Sequence, residues 1–162
     1  MPGYLSKALI WFKHDVPKTK QNSPHPHVAP QYGVKEQYTT EKDTSPLLNK
    51  EKAQYVQAVA GTLSYYARAV DNTILSAIST IATEQAKLTK KTKATIKQLL
   101  DYCATQEEAV ISYKASKMML VVHSDAGYCN KKKIMQPSRR TFFLMNNNEH
   151  PPIMVQSSLL RQ

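Results

Sequence analysis

The chain has 162 residues, a net charge of +10 and a hydrophobic content of 41%, enough for one domain with a real core or for two small pieces. Two cysteines, Cys103 and Cys129, exclude a disulfide scaffold, and no apolar run approaches the roughly 18 residues of a membrane span. The charge is spread as +3 over residues 1–52, +3 over 53–117 and +4 over 118–162, which suggests a polyanionic partner, most often nucleic acid.

Residues 4–14 have the spacing of a short amphipathic helix, with Leu5, Ala8, Leu9 and Phe12 on one stripe and Lys7 and Lys13 off it. Trp11, the only tryptophan, either packs in the core, the commoner use, or anchors the helix to a partner. The apolar run Ala8 to Phe12 is too short for a signal peptide, and Lys13 and His14 end it. A reducing, intracellular setting is expected, in cytoplasm or nucleus.

From Val16 to Pro46 the chain holds five of its nine prolines and few aliphatic residues, so it reads as an extended linker. His14, His25 and His27 have no Cys, Asp or Glu at ligand spacing, so a solvated loop is expected rather than a metal site.

No proline stands between Leu47 and Gln136. Ser45 or Asn49 caps a helix from about Lys50, striped by Val56, Val59, Leu63, Tyr66 and Val70. Gly61 within it is read as the mark of a close helix crossing. A second helix, about Asn72 to Gln85, follows the corner Asp71-Asn72 and is striped by Ile74, Ile78, Ile81 and Ala82. A third, about Thr89 to Ala104, sets Ile96, Leu99, Leu100 and Cys103 on one side and Lys90, Lys93 and Lys97 opposite, with Lys87 and Lys91 beside them. That basic side either follows a phosphate backbone or is simply solvated.

Val110 to Tyr113 reads as a strand, which rules out Thr105-Gln106-Glu107-Glu108 as a helix start. Met118 to Val122 reads as a second strand, buried on both faces and closed by Ser124-Asp125-Ala126-Gly127. Asp125 either opens a turn or serves as a rigid carboxylate at the strand end. A basic turn, Lys131-Lys132-Lys133, leads to a strand from about Arg140 to Met145, and Ile153 to Leu160 has the character of a further one.

The order is specific. A helix bearing Gln57-Ala58-Val59-Ala60-Gly61-Thr62-Leu63-Ser64-Tyr65-Tyr66-Ala67 precedes an Ile-rich helix. A Lys-rich helix with Leu99-Leu100-Asp101-Tyr102 follows, then a strand ending Ser124-Asp125-Ala126. Together with Met1-Pro2-Gly3-Tyr4 and Gln31-Tyr32-Gly33-Val34, this resembles the polyproteins of copia-type retrotransposons. The match runs from the end of the reverse transcriptase through its connection into the ribonuclease H domain, over residues 1–145.

The resemblance implies an α+β fold, a three-helix thumb- or connection-like segment followed by a truncated ribonuclease H-like sheet. It divides the chain into an N-terminal helix (1–15), a Pro-rich linker (16–46), the helical segment (47–113) and the truncated sheet segment (114–162). Asp125 matches the first metal-binding aspartate of the ribonuclease H site, where three or four carboxylates hold two Mg²⁺ ions. The only later acidic residue is Glu149, and the family's catalytic glutamate and later aspartate have no counterpart. Pro137 stands where the family has a glycine-containing approach to its second strand, and the last dozen residues fit poorly.

The expectation is therefore a non-catalytic fragment of a reverse transcriptase/ribonuclease H polyprotein, truncated and partly decayed. It would hold no cofactor of its own and bind Mg²⁺ only weakly at Asp125. The alternatives are a retained module that binds nucleic acid through Lys87, Lys90, Lys91, Lys93, Lys97 and Lys131 to Lys133, or part of a complete reverse transcriptase in a longer frame. No membrane contact is expected, and a cut-off sheet leaves an edge through which the chain self-associates.

Overall fold

The structure is a computed structural model that describes residues 2–26, 43–106, 108–113, 115, 119–126, 135–145 and 153–161. It is helix-rich with a small sheet. The helices are α1 (Tyr4–Trp11), α2 (Lys50–Ala69), α3 (Leu75–Thr83) and α4 (Lys90–Thr105), and a single 3₁₀ turn, Asn72–Ile74, leads into α3. The strands β1 (Met119–Ala126), β2 (Met135–Met145) and β3 (Met154–Arg161) form an antiparallel sheet in the order β1-β2-β3.

The helix stripes decide the core. Val56, Val59, Leu63 and Tyr66 recur at three- and four-residue steps on α2, and all are buried. They meet Ile74, Ile78 and Ile81 of the next element and Ile96, Leu99, Leu100 and Cys103 of α4 in one cluster. Ala82 does not join them. It is exposed, and the fully buried Ala77 fills the stripe instead. The cluster also takes in Leu5, with Tyr4, Leu9 and Phe12 of α1 packed against it. Tyr4 stacks on Tyr66 with ring centroids 5.6 Å apart and donates its hydroxyl to the Thr62 carbonyl at 3.1 Å.

The ends of the helices are set by side chains that accept the unpaired N–H groups. Asn49 caps α2 by accepting from the Lys52 N–H at 3.1 Å. Asp71 accepts from the Thr73 N–H at 3.0 Å and turns the chain into the 3₁₀ segment. Thr89 and Thr92 cap α4 reciprocally, each hydroxyl accepting from the other residue's N–H at 3.3 Å.

Gly61 does not mark a close crossing. A Cβ placed there meets nothing within 4 Å, and the residue is exposed with ordinary helical backbone. Its cost is the entropy of ordering a glycine in a helix. Gly61→Ala should therefore stabilise the protein by about 0.5–1 kcal/mol. A rise in the urea midpoint at unchanged slope is the expected reading, and a fall would mean that an unseen neighbour needs the space.

Residues 17–26 and 43–46 contain no helix or strand, as their composition led one to expect, but they are not free of the body. The Gln21 N–H donates to Thr105 Oγ1 at 3.0 Å, the Gln106 amide donates to the Gln21 carbonyl, and Gln98 Nε2 donates to the His25 carbonyl at 2.7 Å. The first part of this segment is thus laid along the second half of α4.

Three strand expectations need correction. Val110 to Tyr113 is not a strand. No partner strand lies beside it among the described residues, and Val110 is 86% exposed. The strand expected from Arg140 begins five residues earlier, at Met135, and carries Pro137. There β2 pairs with Leu159 of β3, one residue beyond the last β1 rung, Ala126↔Ser138. A residue without an N–H is tolerated where one side of a strand is unpaired. Finally, β1 is not buried on both faces. Met119, Leu120 and Val122 are all about half exposed or more. They lie on a strand at the edge of the sheet, whereas it is β3 that runs beside α2 and α3.

Candidate nucleic-acid interface

The segment before α2 is zipped onto the start of α4. Leu47 bridges Thr89, the Leu48 N–H donates to the Leu88 carbonyl at 2.9 Å, and the Lys90 N–H donates to the Pro46 carbonyl at 3.0 Å. Asp43 adds a side-chain tie, accepting from the hydroxyls of Ser45 and Thr89. Hydrogen bonds from Ser45 and then from Thr89 hold its carboxyl down at about 2, against a usual value of 3.8, so it stays ionised.

This seam brings the first turn of α2 beside the first two turns of α4. Between them lies a groove of about 510 Å³ lined by Leu47, Leu48, Asn49, Lys52, Lys90, Lys93, Ala94 and Lys97. Lys90, Lys93 and Lys97 fall on one side of α4 because they are three, four and seven residues apart. Lys52 reaches the same groove from α2. All four lysines are exposed. Lys97 shares its charge with Asp101, at 2.8 Å between Nζ and Oδ2. Lys52, Lys90 and Lys93 make no ion pair with another described residue. The result is a row of ammonium groups over a small apolar floor, which suits a polyanion with apolar parts.

Of the lysines expected from the sequence, the groove unites Lys90, Lys93 and Lys97. Lys87, in the turn after α3, and Lys91, which faces Asp43, are exposed but do not line it. Lys131, Lys132 and Lys133 lie outside the described residues. Lys52 was not foreseen. Nothing local distinguishes it from its neighbour Lys50; the seam that contains the Leu47–Thr89 bridge, spanning 42 positions, brings it to α4.

The C-terminal end of α1 is tied to α4 and to α2. His14 Nε2 donates to Asp101 Oδ1 at 2.8 Å, both side chains being almost wholly buried. His14 is therefore committed to a carboxylate, and His27 lies outside the described residues. Phe12 meets Tyr55 of α2 edge-on at 5.8 Å, and Trp11 lies parallel to Phe12 with centroids 5.7 Å apart. Trp11 is 75% exposed, so the core-packing use expected for it is wrong. Leu5 and Ala8 fill that side of the helix.

Asp125 lies on β1 in register with Arg139 of β2, and Glu149 lies outside the described residues. Among the described residues no group of three or more His, Cys, Asp or Glu side chains is placed to hold a metal ion. Cys103 is not a candidate nucleophile. Burial in the helical core pushes its thiol up to about 12, leaving it protonated. Among the described residues no helix is long and apolar enough to cross a membrane.

No protein-family model matches the chain, and no curated protein or solved structure matches it significantly.

Proposed function

We propose that this chain is a non-catalytic fragment of a copia-type retrotransposon polyprotein, and that its own biochemical property is sequence-independent binding of nucleic acid through the groove between α2 and α4. The observation that carries the binding proposal is the convergence of Lys52, Lys90, Lys93 and Lys97 on one groove. A row of lysines with no fixed hydrogen-bonding fork attracts phosphates as point charges and reads no sequence. The helix order, the Asp125 strand and the antiparallel β1-β2-β3 order support the retroelement reading and a ribonuclease H-like descent of the sheet. The exposed apolar residues of edge strand β1 support self-association as a secondary property.

The test is a salt titration of nucleic-acid binding by the wild type and by a Lys90→Gln, Lys93→Gln, Lys97→Gln variant. Each lost phosphate contact lowers the slope of log affinity against log salt by about 0.7–0.9. The expected reduction is about 1.4–1.8, that of two contacts, because Lys97 is already shared with Asp101. An unchanged slope would mean that these lysines are only solvated. The same preparations should show no Mg²⁺-dependent cleavage of an RNA–DNA hybrid, and cleavage that disappears in Asp125→Asn would overturn the non-catalytic part.

A further inference from the structure

Two chains of contacts connect the proposed phosphate track to the exposed Trp11, which stacks on the partly buried Phe12. Lys97, the last lysine of the row, is joined through Asp101 to His14, three residues after Trp11. On the other wall, Lys52 is one helical turn from Tyr55, which meets Phe12, on which Trp11 stacks. These steps link the indole to both walls of the groove, through Asp101 and His14 on one side and through Tyr55 and Phe12 on the other.

The pair has a particular form. Trp11 and Phe12 are almost parallel, at 6°, so one face of the indole is backed by a ring that is itself anchored on Tyr55. The side chain is otherwise three-quarters exposed. Leaving a tryptophan and the neighbouring Ile10 in water forgoes the burial that the rest of α1 achieves. A backed ring with an open face suits a flat π-system as its occupant. Beside a row of lysines, that occupant is a nucleobase whose own phosphates lie on the lysines.

We propose that Trp11 is a base-stacking platform, and that the groove and Trp11 together select single-stranded over duplex nucleic acid. This rests on the groove being a phosphate track. In a duplex both faces of each base are already stacked, so the indole gains nothing there. An unpaired base has a free face, and base–aromatic stacking is tolerant of sequence.

Because Trp11 is the only tryptophan, its fluorescence reports this one contact in the full chain. Titration with a single-stranded oligonucleotide should quench it, whereas a duplex of equal length should bind without comparable quenching. Trp11→Ala should weaken single-strand binding about tenfold and leave duplex binding and the salt slope unchanged, while Trp11→Phe keeps most of the affinity. The exposed position means that neither change disturbs the core.

Salt-sensitive binding with unaltered fluorescence and a silent Trp11→Ala would overturn the platform and leave the groove standing. Absence of all oligonucleotide binding would overturn both. A blue shift on vesicles of mixed phosphatidylserine and phosphatidylcholine, without any response to oligonucleotide, would overturn the platform and assign α1 to an anionic lipid surface.

Discussion

Leu63→Ala should destabilise the protein by about 2–5 kcal/mol, the range for deleting a fully buried leucine side chain from a packed interior. Leu63 has no exposed surface, and it sits at the centre of the α2 stripe with Val59 and Tyr66. Three side-chain carbons, two of them methyls, are lost from a site bounded by helices, which cannot close on the space without moving a whole element. Since a domain's net stability is about 5–15 kcal/mol, such a loss shows at once in urea unfolding followed by far-ultraviolet circular dichroism. Leu120→Ala on β1 is the control. Leu120 is 60% exposed, so its truncation should cost less than about 1 kcal/mol, as surface changes usually do. Equal effects of the two variants would mean that β1 is covered in solution, by a second copy or by a partner. A negligible effect of Leu63→Ala would remove the helical core as described.

The contrast between these leucines also marks what the sequence could reveal. Val56, Val59, Leu63 and Tyr66 are legible because helix burial imposes a period that survives in the sequence. The same holds for Ile96, Leu99 and Leu100 opposite Lys93 and Lys97. Strands are less legible because a strand exists only with a partner. Val110-Ile111-Ser112-Tyr113 has the right residue types but joins no strand ladder among the described residues, whereas Met135 to Arg139 has a proline and is paired with β3. The candidate site was half visible. Three of its lysines share one helix face, but Lys52 arrives from another helix through a bridge of long sequence separation. Trp11 was misassigned for a related reason. The stripe rule places Leu5 and Ala8 inside, and composition alone favours burying a tryptophan, but the helix is too short to bury both sides. That Asp101 would meet His14, at 87 positions' distance, has no local signature at all.

That last contact makes the second large prediction. Asp101→Ala should cost about 1–3 kcal/mol, because it leaves the His14 Nε2–H donor without an acceptor in a site where the imidazole is only 9% exposed. The loss should come from His14 and not from Lys97. The Lys97 side chain is 69% exposed, and solvent-screened pairs four residues apart on a helix contribute only about 0.3–0.5 kcal/mol. Lys97→Gln should accordingly be almost silent in stability. A double-mutant cycle with His14→Ala isolates the buried bond, and its coupling energy should be about 0.5–3 kcal/mol. The variant also has a local reading. His14 fastens the chain just after α1, so Asp101→Ala loosens the seating of Phe12 on Tyr55 and of Trp11 on Phe12. Trp11 fluorescence in the folded state should change in Asp101→Ala and His14→Ala alike, and not in Lys97→Gln. Additive costs of the two substitutions, with unaltered tryptophan emission, would mean that the carboxylate serves α4 alone and that α1 is held by Leu5, Ala8 and the Tyr4–Tyr66 stack.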